Sequence, residues 1–326
     1  MNANKTTSIA LKQITLLVAA LFASELALAA PFAYVPNEKD GTISVIDTAT
    51  DTVTDTLPAK GSLGKKIQGV MLDAKNENLF VVDAAGGNVK VINLTTRKVS
   101  KKIAVGESPE GISLSPDGKT LAVCMEEEHQ VSLVNTETLK LTRKIKTQGK
   151  NPEHCVFSND GKILLASNEE SSDVDVIDLS RMKSVARIKS AGHPRGIGFL
   201  PNGKFAYIAN ESANAVDVID TATWTAIKSI PAQGERTNGI AVAPDGATVY
   251  ASNGAGSVSV IETAGNTVTT TISVGKRPWN MALTPDGKKL YVANGRSDNI
   301  SVIDTATQQV TQTISVGKLP WGVVIR

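Results

Sequence analysis

Gln68, Glu110, Glu153, Arg195, Asn238, Trp279 and Trp321 recur at intervals close to 42 residues, each just ahead of an apolar run. The residue that follows is glycine in five copies and His154 or Asn280 in the other two. A scaffold position tends to repeat one residue type. Here equivalent positions hold amides, carboxylates, a guanidinium and indoles, so this is where chemistry or recognition would be done. Glu110, His154 and Arg195 offer a base, an acid–base partner and an oxyanion stabiliser, the set that acyl or lyase chemistry needs. His154, Glu153, Glu110 and His129 offer imidazole and carboxylate donors of the kind that suit Zn or Cu. Their spacing matches no dedicated ligand motif, and no metal is assigned. Trp279 and Trp321 could stack a flat ligand, anchor a partner or simply plug a channel.

The elements that must carry these residues repeat with the same period. A β-type run closed by a polar residue ends at Asp47, Asn93, Asn135, Asp178, Asp220, Glu262 and Asp304. Each repeat holds four short runs rich in Val, Ile, Thr and Tyr, the pattern of packed strands. Between the first two runs lie Pro116-Asp117-Gly118, Asn159-Asp160-Gly161, Pro201-Asn202-Gly203, Pro244-Asp245-Gly246 and Pro285-Asp286-Gly287. Proline presets one corner of such a turn, Asp or Asn bonds its own backbone, and Gly accepts positive φ. Repeat 2 has Asp73-Ala74-Lys75-Asn76 instead, which predicts a looser hairpin. The expected fold is all-β: a seven-bladed propeller of four-stranded antiparallel blades. The first repeat lacks its inner strand and the chain ends in a spare one, Gly322–Arg326. The C-terminal strand is therefore predicted to pair into blade 1 and close the ring. Residues 30–326 are filled by seven such repeats, leaving no room for a second domain.

Inner-strand starts and the loops between second and third strands share one face of a propeller. Those loops open with Asn37, Asp83, Met125, Asn168, Asn210, Asn253 and Asn294, read as turn caps. Glu126, Glu127, Glu128, His129, Glu169 and Glu170 join Glu110, Glu153 and His154 in an acidic sector. Lys65, Lys66, Arg195, Arg236, Lys276, Arg277 and Lys318 fall elsewhere on the face, which predicts a polarised surface. Trp224 falls on the opposite face, where packing accounts for it.

Residues 1–29 read as a secretory signal peptide: Lys5 and Lys12, an apolar run from Ile14 to Ala23, then Ala27-Leu28-Ala29. The run is too short to span a bilayer. Cleavage after Ala29 would leave a chain of near-zero net charge, with no basic excess for nucleic acid. The expected location is periplasmic or secreted, and the expected state a monomer. Cys124 and Cys155 fall on adjacent blades, so a disulfide between them is possible in an oxidising compartment. Cys-x-x-Cys-His is absent, so no c-type haem is attached.

The Tyr-Val-Ala-Asn and Ser-Val-Ile-Asp-Thr-Ala-Thr elements, clearest at 32–57, 205–230 and 290–316, resemble the YVTN family of β-propeller repeats. The ending Val316-Gly317-Lys318-Leu319-Pro320-Trp321-Gly322-Val323 is similar to a subgroup associated with PQQ-dependent catabolism. The resemblance implies a secreted or periplasmic propeller that accompanies quinoprotein oxidation without being the dehydrogenase, and implies no cofactor of its own. Quinoprotein dehydrogenases resemble eight-bladed rings, which this chain does not match. The expected role is a binding or accessory protein taking a protein partner or small ligand on the channel-mouth face. The alternatives are a lactonase or lyase built on Glu110, His154 and Arg195, or a metal-binding protein. Convergence of those three in a closed pocket favours the enzyme; an open, flat, charged face favours a partner surface.

Overall fold

The computed structural model describes residues 31–325. The segment 1–29 read as a signal peptide lies outside them, as does Arg326. The described chain folds into seven four-stranded antiparallel sheets arranged as the blades of a propeller. Blade 3 shows the repeated unit: Pro109–Leu114, Thr120–Met125, Gln130–Asn135 and Lys140–Lys146, running from the axis outward. The two middle strands of each blade are almost wholly buried, and the outermost strand is largely exposed. This gradient follows from the packing, since middle strands are covered on both sides by neighbouring blades. Seven apolar clusters result, one in each interface between blades. Tyr207, Tyr291 and Phe80 are the largest side chains sealed within them.

Blade 1 is completed by the far end of the chain. Val324 and Ile325 pair with Tyr34 and Ala33 to form its inner strand. The approach is fastened by Trp321 N–H donating to Pro36 O (3.0 Å) and Glu38 N–H donating to Leu319 O (3.0 Å). Further from the axis, Lys289 of blade 7 pairs with Asp51 of blade 1 at 2.7 Å, and the Tyr291 hydroxyl donates to the same carboxylate.

The corners follow the expected turn chemistry with one correction. Asp47, Asp178 and Asp304 each accept backbone N–H bonds two or three residues on, as Asx turns do. The blade 2 hairpin is not looser. Asn76 N–H donates to Asp73 O (3.0 Å), matching Gly118 N–H to Ser115 O (2.8 Å) in blade 3. Asn76 adopts the left-handed conformation that Gly118 holds there, with φ of 57° against 72°. Asn is among the few non-glycine residues that tolerate this region.

Cys124 and Cys155 share the apolar cluster between blades 3 and 4 as two buried free thiols. Burial, reinforced by the neighbouring Cys155, pushes the Cys124 thiol well up, which keeps it protonated and unreactive. They serve here as small apolar core residues.

Deleting Gly322–Arg326 would strip blade 1 of its inner strand and leave the edge of Phe32–Asn37 unpaired. The expected result is a large fall in melting temperature, by scanning calorimetry, with loss of the cooperative transition. An unchanged melting temperature would rule out closure by the C-terminal strand.

Candidate functional site

Six of the mouth residues are second in their inner strands rather than ahead of them, the strands beginning at Ile67, Pro109, Pro152, Pro194, Thr237 and Pro278; Trp321 alone stands ahead of its strand, Val324–Ile325. Their projection has a structural cause. In blade 3, Pro109 pairs with Met125 and Ile112 with Val123, so Glu110 and Gly111 together face Cys124 alone. The same two-against-one step recurs in blades 2, 5, 6 and 7, and blade 4 inserts Glu153 in the same way. A β-bulge of this kind bends the strand and re-aims a side chain. The glycine that follows lets inner strands approach each other: a Cβ on Gly196 would clash with the Asn238 carbonyl and the Ile240 amide of the next blade.

Six of the seven predicted positions converge. Gln68, Glu110, Arg195, Asn238, Trp279 and Trp321 line one pocket of about 250 Å3. His154, Asn280, Glu38 and Arg277 complete its wall. Glu153 stands behind it, holding Arg195. His154 stacks on Trp321, with ring centroids 5.8 Å apart and planes 13° from parallel.

The predicted polarisation does not hold, because the charges interlock. Arg195 is partly buried among three carboxylates. Its Nε donates to Glu211 Oε2 (2.8 Å), its Nη2 to Glu169 Oε1 (2.7 Å), and its Nη1 to Glu153. Glu211 also receives Arg277 Nη2 (3.0 Å) and Arg236 Nε (3.3 Å). Burial alone would raise the Glu211 pKa, but Arg195 and Arg277 hold it below the ordinary carboxylate value. Glu110 goes the other way: burial and a hydrogen bond shared with Glu126 hold its pKa well above that range. Both effects favour its protonated form. His154 is pushed down to about 4 by burial, so its imidazole is neutral.

Carboxylate oxygens of Glu110, Glu126 and Glu153 lie within 4.8 Å of one another. Neither histidine of the proposed ligand set joins them. His154 Nδ1 is 4.0 Å from Glu153, and His129 Nδ1 accepts the Asn151 N–H at 3.0 Å.

Glu38 and Glu211 escaped the sequence reading. Both stand directly after the first residue of a loop between second and third strands, as do Glu126 and Glu169. Four glutamates at seven equivalent positions was the signal. Blades 6 and 7 have Gly254 and Gly295 there, and a Cβ on either would collide with Arg277 or with the Trp279 ring. The loop asparagines are structural, but not as the turn caps expected: their side chains bond across to the next strand rather than to the turn backbone. Asn37, Asn253 and Asn294 are fully buried and donate to Ser44, Ser259 and Ser301 of the adjacent strand at 2.8–3.0 Å. In blade 2 the equivalent pair is the buried ion pair Asp83–Lys90.

Trp224 packs on the far face as expected, beside a cavity of about 340 Å3 lined by turn residues such as Asp160 and Asn202. Those turn residues repeat from blade to blade, so that hollow is a product of the repeat.

The fold and mouth define a seven-bladed propeller with a polar, aromatic-walled cup at one end of its channel. The family model described as "Lactonase, 7-bladed beta-propeller" matches residues 178–324, and that of the cytochrome D1 haem domain matches residues 31–155. No curated protein matches the chain significantly. Solved structures with the same fold include Kuenenia stuttgartiensis hydrazine synthase: TM-score 0.74, 22% identity, 87% of this chain and 98% of that one. A protein of unknown function from Desulfotomaculum acetoxidans gives 0.78 at 18% identity, over 91% and 99%. A Bacteroides fragilis candidate 6-phosphogluconolactonase gives 0.76 at 19%, over 93% and 99%. The mouth does not fit a haem: the one histidine among its lining residues is buried with its ring stacked on Trp321, which leaves it poorly placed to ligate an iron.

Glu110→Gln copies the protonated acid and should be tolerated. Glu110 ionises in the unfolded chain near its ordinary 4.5 but later in the folded protein, so its contribution makes stability fall as pH rises past 4.5. His154, at about 4 folded against 6.5 unfolded, makes stability rise with pH across that window. Melting temperatures from pH 4 to 7 should therefore show the Glu110→Gln variant gaining steadily on the wild type. A constant gap would show that Glu110 is ionised when folded. Arg195→Met leaves the buried Glu153 carboxylate without its cation and should cost about 3 kcal/mol or more in chemical denaturation.

Proposed function

We propose that this protein is a binding or accessory propeller, periplasmic or secreted and monomeric, that takes a small ligand or the tip of a partner into the channel-mouth cup. One observation carries the reading. Six blades contribute residues of differing type from equivalent positions to a single pocket, and bulges aim five of them there. Trp279 and Asn238 line that pocket from blades 7 and 6 and are the most direct contacts for an occupant. The sequence resemblance adds a setting beside quinoprotein oxidation.

A second reading, a lactonase or lyase, is favoured by the convergence of Glu110, His154 and Arg195 in that pocket and by the lactonase-type match over residues 178–324. Two features weigh against it. Glu110 and His154 lie outside the matched segment. Arg195 is already engaged by three carboxylates, leaving it poorly placed to stabilise a new oxyanion.

The test begins with protein purified from the periplasm, whose intact mass should start at Ala30. Immobilised, it is exposed to periplasmic extract, and the captured species are identified by mass spectrometry. Trp279→Ala and Asn238→Ala should lose capture; an aromatic anchor contributes on the order of 2 kcal/mol, roughly thirtyfold in affinity. Trp224→Ala on the far face should retain it. Capture that survives both mouth variants and fails with Trp224→Ala would place function on the wrong face for this proposal.

A further inference from the structure

Two cavities meet at the His154–Trp321 pair. Above it is the polar mouth cup of about 250 Å3. Below it the channel holds a second cavity of about 220 Å3, walled by Val70, Ile112, Val156, Ile197, Ile240 and Met281. His154, Asn280 and Trp321 line both. Trp321 comes from the segment that closes blade 1, and His154 from blade 4 on the opposite side of the ring, so the stack crosses the channel. The partition between cup and lumen is made of side chains, which can change rotamer without disturbing the sheets.

The cup has little uncompensated charge. Arg195 is held by Glu153, Glu169 and Glu211, and Arg277 Nη2 by Glu211. Burial pushes the pKa of both Glu110 and Glu38 up, which favours their uncharged forms. What is left over is a buried acceptor, Gln68 Oε1, a buried donor, Arg277 Nη1, and both ring nitrogens of His154, none with a hydrogen-bond partner. Buried polar atoms without partners are rare and costly, and all of these belong to the cup's wall. A neutral imidazole offers one donor and one acceptor, so the wall as a whole calls for a head that both donates and accepts hydrogen bonds. The aliphatic side chains along the lumen call for a hydrocarbon chain.

We propose that cup and lumen form one bipartite site for a single-headed, uncharged amphiphile: its head between Gln68 and Arg277, its straight apolar tail in the lumen past the His154–Trp321 pair. The inference rests on the cup being the ligand site. A primary carboxamide or hydroxyl head both donates and accepts, as the wall requires. A carboxylate head lacks the donor and adds charge beside Glu126 and Glu153. An ammonium head lacks the acceptor.

The test is calorimetric titration of the intact protein with acetamide, butanamide, hexanamide and octanamide, and with hexanoate and hexylamine as charged controls. Affinity should rise about fourfold per methylene until the lumen is full, and both charged controls should bind at least tenfold more weakly than hexanamide. Val156→Phe narrows the lumen without touching the cup, and should flatten the chain-length dependence while leaving acetamide unchanged. The wild-type series decides the matter even if that variant folds poorly. Binding that is independent of chain length would overturn the bipartite site and leave the cup standing. Tighter binding of hexanoate or hexylamine would overturn the neutral head. Absence of binding by every amide would overturn this inference; only continued capture by the mouth residues would then preserve the cup.

Discussion

The structure depends on a closure made by a handful of backbone hydrogen bonds. Tyr34 and Ala33 accept Val324 and Ile325 as their inner neighbours, and Pro36 receives the Trp321 amide. Without that pairing blade 1 is a three-stranded sheet with a bare inner edge, and the interface between blades 7 and 1 loses the Val323 and Ile325 side chains packed on it. An open sheet edge is a liability that ring closure removes. The same short segment delivers Trp321 to the channel, where it meets His154 from across the ring. Closure and site assembly are therefore one event: an unclosed ring has neither the floor of the cup nor its full wall.

Within the closed ring, small residues decide where large ones go. Five glycines let adjacent inner strands approach, and His154 and Asn280 take the two places where the channel is filled instead. Gly254 and Gly295 leave the space that Arg277 and Trp279 occupy, where other blades present glutamate. The resulting wall mixes charge signs at close range. Such buried ion networks seldom add net stability over apolar packing, because each ion gives up hydration. A network centred on Arg195, spanning Glu153, Glu169 and Glu211, is better understood as fixing the geometry of the cup.

The architecture was legible because its determinants are local and repeated. Alternating Val and Ile, Asp at the third corner and glycine at the first recur often enough to show blade number, strand order and the closing strand. The mouth positions were legible as a row of unlike residues at one repeat position. Their presentation was not. The bulge at Glu110–Gly111 against Cys124 leaves no residue signature distinct from an ordinary strand start. The polarised face was misread because sequence separates Arg195 from Glu153 and Glu211 by whole strands, whereas the ring sets these neighbouring blades side by side. The blade 2 turn was misread because Asn76 takes the conformation of a glycine while looking like a departure from the motif.

The central claim, that the channel mouth is the functional face, can be read from the three tryptophans, two of which line the cup while Trp224 packs on the opposite face. Protein labelled with 5-fluorotryptophan gives one fluorine resonance for each, assigned by single substitutions. On titration with hexanamide, and separately with a pooled small-molecule extract of the periplasm, the Trp279 and Trp321 resonances should shift in a saturable manner while Trp224 stays in place. A shift confined to Trp224, or three resonances unmoved by either addition, would contradict the account.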